Sequence, residues 1–139
     1  MPTNSRSVGV PFVDLSRAFN RDKDEIFQSW EGLGSAANFV LGAEVRDFEN
    51  RISSYLGARY CVSVNSGSDA LWLSLKALNI GRGDEVITVA NTFIATAWAI
   101  AAVGATPVMV DVGLDMNISP EAVEAAINSK TRAIVSVRL

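Results

Sequence analysis

The stretch Asn65-Ser66-Gly67-Ser68-Asp69-Ala70-Leu71 puts small and hydroxyl-bearing residues where an apolar segment, Tyr60 to Val64, gives way to a helical pattern. The first backbone amides of a helix have no partner within it. Here the amides of Gly67, Ser68 and Asp69 are expected to point out of the helix start, and the Ser68 hydroxyl adds a donor. Such a start suits a phosphate, held by those donors and by the positive end of the helix. The dipole contributes about 0.3–1 kcal/mol and each hydrogen bond to a charged group roughly 1.5–3 kcal/mol. An ordinary capped helix, with serine or aspartate as the cap, uses the same residue types. The chain has no Gly-x-Gly-x-x-Gly and no Walker sequence, so the loop does not point to a dinucleotide or a nucleoside triphosphate.

Other chemistries are excluded by what is missing. There is no histidine among the 139 residues, so Ser-His-Asp and Cys-His nucleophilic sites and histidine-ligated zinc have no basis here. Cys61 stands alone, which rules out an intrachain disulfide and argues against a cysteine metal site. The residues therefore suggest no metal site. Twelve basic and fifteen acidic residues are interspersed, and the net charge is −3. That pattern offers no surface for nucleic acid or an anionic membrane. Met1 to Val8 is polar and unlike a signal peptide. The most apolar run, Phe93 to Val103, is too short for a bilayer, which takes about 20 residues. A soluble, cytoplasmic protein is expected.

Two regions must position the loop. The first, about residues 1–57, begins with an arm over residues 1–16. A helix is expected from about Arg17 to Trp30, ended by Gly32 and Gly34. A clearer helix follows from about Ala43 to Leu56, with Val45, Phe48, Ile52, Tyr55 and Leu56 on one face and Gly57 at the left-handed cap. The second region, about 58–139, alternates strand and helix. Strands are expected at Tyr60–Val64, Glu85–Val89, Val108–Val112 and Ala133–Val137. Between them lie helices over Ser68–Leu78, with Leu71, Leu75 and Leu78 inward, over Thr92–Val103, apolar and buried, and from Ser119 to near Ser129. This is an α/β pattern with parallel strands and flanking helices. Ligands in such sheets bind at the carboxyl ends of the strands, here the loops Asn65–Ser68, Ala90–Phe93 and Asp111–Asn117.

Taken in order, several segments carry a resemblance. Val10-Pro11-Phe12-Val13-Asp14-Leu15 is followed by Phe39-Val40-Leu41-Gly42-Ala43-Glu44-Val45, then by the loop at Asn65–Leu71. After these come Leu78-Asn79-Ile80-Gly81-Arg82-Gly83-Asp84-Glu85-Val86-Ile87, Asn91-Thr92-Phe93-Ile94-Ala95-Thr96 and Gly104-Ala105-Thr106-Pro107-Val108-Met109-Val110-Asp111-Val112. The ordered set resembles the N-terminal part of the DegT/DnrJ/EryC1/StrS family of sugar aminotransferases, which depend on pyridoxal 5'-phosphate (PLP).

The resemblance implies a partial fold-type-I PLP-transferase large domain. It also implies a dimer with the site at the subunit interface, and transfer of an amino group, usually from glutamate, to a nucleotide-linked keto sugar. Gly67, Ser68 and Asp69 match the loop that holds the PLP phosphate, and Phe93 matches the aromatic that stacks on the pyridine ring. Asp14 and the Phe39–Gly42 loop match regions near the sugar. Thr96, one turn on, is expected to bond its own helix backbone, and Asp111 to close a strand.

Three departures stand out. Serine occupies position 68 where threonine is usual. Ser136 and Arg138 stand where the family has proline and histidine. The family's Schiff-base lysine and the aspartate that pairs with the pyridinium nitrogen match positions after residue 139. None of the three lysines, Lys23, Lys76 and Lys130, has the apolar surroundings such a lysine needs. Three readings follow: an aminotransferase fragment, inactive as it stands; a non-catalytic protein that binds PLP or a partner; or a fragment of a PLP-dependent deoxysugar dehydratase. Sheet order is a further point of divergence. Simple adjacency puts Tyr60–Val64 beside Glu85–Val89. The resemblance instead puts Glu85–Val89 between the two later strands and leaves Tyr60–Val64 without native neighbours.

Overall fold

A computed structural model describes residues 11–138. The chain divides into two compact units, Met1–Val62 and Ser63–Leu139. The first ten residues of the expected arm lie outside the described part. The arm ends earlier than expected, because helix starts at Leu15 rather than Arg17.

The first unit holds α1 (Leu15–Ala36) and α2 (Ala43–Leu56). Asp14 caps α1, its carboxylate accepting from the Arg17 amide at 3.1 Å and the Ser16 hydroxyl at 2.6 Å. These two donors hold the Asp14 carboxyl below the ordinary aspartate range. The helix does not stop at Gly32 and Gly34. An interior glycine costs only roughly 0.5–1 kcal/mol against alanine, too little to end a helix unaided. The stop comes at Ala37, with φ 50°. The amides of Ala37 and Asn38 donate back to the carbonyls of Gly34 and Leu33, the paired closure of a Schellman motif. The second helix has the expected bounds, with Gly57 left-handed at φ 64°. Its apolar face forms, yet Phe48, Tyr55 and Leu56 stay exposed and neither helix has a buried residue.

The second unit holds α3 (Gly67–Ala77), β1 (Glu85–Val89), α4 (Ala95–Ala102), β2 (Thr106–Val110), α5 (Pro120–Ala126) and β3 (Thr131–Ile134). The three strands form a parallel sheet in the order β2-β1-β3. Tyr60–Val64, expected as a strand, forms none and joins no ladder among the described residues. The order implied by the family resemblance is the observed one, and simple adjacency fails. Val86, Ile87, Thr88 and Val89 of the central strand are buried, and Val86 packs with Leu75, Ile80, Ala99, Ile100 and Ala105.

Element ends differ from expectation for local reasons. The strand expected at Val108–Val112 starts at Thr106 and contains Pro107. An edge strand tolerates proline where its missing N–H faces away from the ladder. The last strand also begins two residues early, at Thr131, and ends at Ile134, with the Val135 amide still donating to the Ile87 carbonyl at 2.8 Å. Leu78, expected inward, is 67% exposed. The helix has already ended, Asn79 is left-handed at φ 57°, and Ile80 returns its amide to the Leu75 carbonyl and takes the buried place. The apolar helix expected from Thr92 starts at Ala95 and is buried on one face only, through Thr96, Ala99 and Ile100. Ser119 caps α5 as expected, but Ile127 turns extended and the helix ends at Ala126, short of Ser129.

Candidate functional site

At the start of α3 the cap is Ser66. Its hydroxyl oxygen accepts from the Asp69 amide at 3.1 Å, and the same hydroxyl donates to the Asp69 carboxylate at 3.0 Å. This corrects the expectation of three outward amides: the Asp69 amide is engaged within the chain. Gly67 and Ser68 supply the amides of the first turn that the cap leaves unengaged, and the Ser68 hydroxyl lies beside them.

The second contributor follows β1. Thr92 turns its amide onto the Ala90 carbonyl at 3.0 Å, and the Thr96 amide reaches the Phe93 carbonyl at 3.1 Å. These bonds hold Phe93 just before α4, with its side chain 74% exposed. The Thr96 hydroxyl is buried and bonds the Thr92 hydroxyl at 2.9 Å. That differs from the expected bond to its own backbone, and it braces the turn that carries Phe93.

These two pieces meet. Ser68, Phe93, Ile94, Ala95 and Trp98 line one open hollow of about 280 Å³. Ser68 brings a hydroxyl and a helix start to one part of it, and Phe93 brings an aromatic ring. Gly67 and Asp69 adjoin it through the first turn. Asp111 lies after β2, where its carbonyl accepts from the Ser119 amide and its carboxylate from the Val112 amide at 3.3 Å. It closes the strand end, as expected. Gly42 of the Phe39–Gly42 loop is the cap position of α2.

Gly67 gives a test of whether a ligand fits. Its backbone does not lie in the left-handed region, and a Cβ there would meet nothing within 4 Å. Neither conformation nor packing within the described residues calls for glycine. The open space beside it admits a phosphate at the helix start. A flat ring attached to it would find Phe93. The residues present thus fit a phosphate-bearing aromatic ligand.

The lysines do not share the hollow's lining. The Lys76 ammonium rests over the Trp72 ring at 4.8 Å, on an exposed face of α3. Lys130 is exposed in the turn before β3. Among the described residues no group of three or more histidine, cysteine, aspartate or glutamate side chains could hold a metal, and no helix is long and apolar enough to cross a membrane. Sequence reasoning missed Trp98 as part of the lining. The available signal was a single large aromatic in the otherwise small-residue run Ala95-Thr96-Ala97-Trp98-Ala99.

Known proteins resemble this chain in sequence and in fold. The sequence is 45% identical over 131 residues to dTDP-3-amino-3,6-dideoxy-alpha-D-galactopyranose transaminase of Aneurinibacillus thermoaerophilus, covering 94% of this chain and 36% of that protein. The fold superposes on S. venezuelae DesV in complex with a ketimine intermediate with a TM-score of 0.88 and 40% identity, over 91% of this chain and 34% of that one. It superposes equally well, at 0.88 and 34% identity, on NtdA of Bacillus subtilis with bound cofactor PMP, over 96% of this chain and 31% of that one. The chain therefore spans about a third of the length of these relatives. The sequence model of one family, the DegT/DnrJ/EryC1/StrS aminotransferases, matches residues 20–139. With that match over most of its length, the chain belongs to the DegT/DnrJ/EryC1/StrS aminotransferase family.

Proposed function

We propose that these residues form the phosphate-and-ring part of a PLP site in an aminotransferase acting on a nucleotide-linked keto sugar. The observation that carries this reading is the shared hollow of Ser68 and Phe93, built from two separate strand-to-helix connections. Gly67 and Ser68 would hold the phosphate through their amides and the Ser68 hydroxyl. Phe93 would lie against the pyridine ring, where a flat apolar surface fixes its orientation. Asp69 would act through the cap, keeping the first turn in place for its neighbours. The chemistry supplied by PLP, when bound, is that of a carrier of the amino group between donor and keto carbon. A solved relative carrying PMP, the aminated form of that carrier, supports the cofactor.

The finer parts of the proposal rest on family resemblance. Glutamate is the amino donor, the working unit is a homodimer with the site at its interface, and the location is cytoplasmic. No lysine is among the residues that line the hollow, and the 139 residues by themselves are proposed to transfer no amino group.

The test is cofactor binding in a chimera in which the remaining two-thirds of the Aneurinibacillus thermoaerophilus relative follow residue 139. Ser68→Ala should weaken PLP retention by about 1–2 kcal/mol through the lost charged hydrogen bond. Phe93→Ala should lower affinity and change the absorbance of the bound cofactor. Unchanged affinity in both variants would sink the assignment.

A further inference from the structure

Trp98 is half exposed, and its exposed side chain lines the same hollow as Ser68 and Phe93. The way α4 is used explains why. One face of the helix, Thr96, Ala99 and Ile100, is spent on the core. Ile94 and Trp98 are one turn apart, joined by the hydrogen bond from the Trp98 amide to the Ile94 carbonyl at 2.9 Å. Both side chains therefore fall on the other face, beside the start of α3. Every other residue from Ala95 to Ala102 except Ile100 is alanine or threonine. A tryptophan there puts the largest side chain of the helix where it contributes least to the core.

We propose that Trp98 is a second aromatic wall of the cofactor hollow. Its indole covers the pyridine ring from another side than Phe93 while the phosphate stays at Ser68. This deepens the PLP reading and rests on it. Two aromatic residues brought to one hollow by a turn and the helix that follows would confine a flat ring in both tilt and translation, which a single stacking partner cannot do. Trp98 is in this sense a cofactor-contacting residue; it moves no proton.

The experiment uses the 139-residue chain and PMP, which forms no adduct with lysine. PMP binding is followed by equilibrium dialysis, and access to tryptophan by acrylamide quenching of its emission. PMP should bind in a Ser68-dependent way and reduce quenching, and Trp98→Phe should abolish that protection. Trp98→Ala should weaken PMP about five-fold and Trp98→Phe no more than about two-fold, the range of an aromatic contact. Inorganic phosphate should compete with PMP yet leave quenching unchanged, because it covers no ring. Circular dichroism checks that both variants keep the helices. Ser68-dependent PMP binding that leaves quenching and the Trp98→Ala affinity unchanged would overturn the second wall and leave the PLP reading standing. Absence of any Ser68-dependent PMP binding would overturn both.

Discussion

The Thr88 hydroxyl donates to the Val135 carbonyl at 2.8 Å, a bond that joins residues 47 positions apart. Thr88 is fully buried in the central strand, and the Val135 amide in turn donates to the Ile87 carbonyl. The chain just past β3 is thus held to β1 from both its amide and its carbonyl. Thr88→Val keeps the side-chain shape and removes the donor. It should cost about 1 kcal/mol, up to roughly 3 if the freed carbonyl stays dry. A lower urea midpoint at an unchanged slope would show this; a variant as stable as the parent would show that the bond contributes nothing.

Gly67→Ala should separate stability from binding. The added methyl meets nothing within 4 Å and the backbone conformation accepts it. Reduced freedom of the unfolded chain should then stabilise the fold by roughly 0.4–1 kcal/mol. The same methyl would crowd a phosphate at the helix start. Thermal melting with and without PMP measures both effects, and a parallel gain in stability and in affinity would contradict the phosphate site.

Asp115 makes a self-contained turn with Asn117. Its carboxylate accepts from the Asn117 side chain at 2.9 Å and the Asn117 amide at 3.2 Å. These bonds, the side-chain one first, hold its carboxyl below the ordinary aspartate range. A depressed folded-state value means the carboxylate supports the fold above the unfolded value and loses that support as pH falls through the folded one. Carboxyl NMR should show Asp115 titrating low, and Asn117→Ala should move it upward. No movement would assign the depression to another cause.

Reductive trapping of PLP on the 139-residue chain should label Lys23, Lys76 and Lys130 no more than in a denatured control. A lysine that captures PLP needs a desolvated pocket. Lys76 lies instead over Trp72 on an open helix face, and Lys130 is exposed. Stoichiometric labelling of one lysine would show a pocket that the fold does not display.

Legibility in the sequence followed the range of the forces involved. The second helix was readable at both ends because Gly57 and a five-residue apolar face are local signals. The first was read too short, because glycine weakens a helix by less than the rest of a good turn contributes. Leu78 was placed inward by periodicity, but a closing motif at Asn79 handed its place to Ile80. The pairing of β1 with two later strands came from family resemblance; periodicity carries no information about which strand lies beside which. In the site, Ser68 and Phe93 were visible as types in a pattern. Trp98 was not, because which face of an almost wholly apolar helix stays open depends on what packs against it. The engagement of the Asp69 amide by Ser66 was likewise hidden, since either serine or aspartate could have been the cap.

The central strand is made before either of its neighbours. Glu85 stands beside Thr106 on one side and Thr131 on the other. A ribosome therefore releases β1 with both edges open, closes one with β2, and leaves the second open until α5 and β3 have followed. At 5–20 residues per second that second wait lasts roughly one to five seconds. Throughout it the most buried strand presents an unpaired edge, the kind of template on which another chain can build, and Thr88 has no acceptor. Loop closure adds little to the difficulty, since its cost grows only with the logarithm of length. The hazard is one of timing. Nascent chains carrying this sheet order should be most vulnerable to association after β2 has emerged and before β3 arrives.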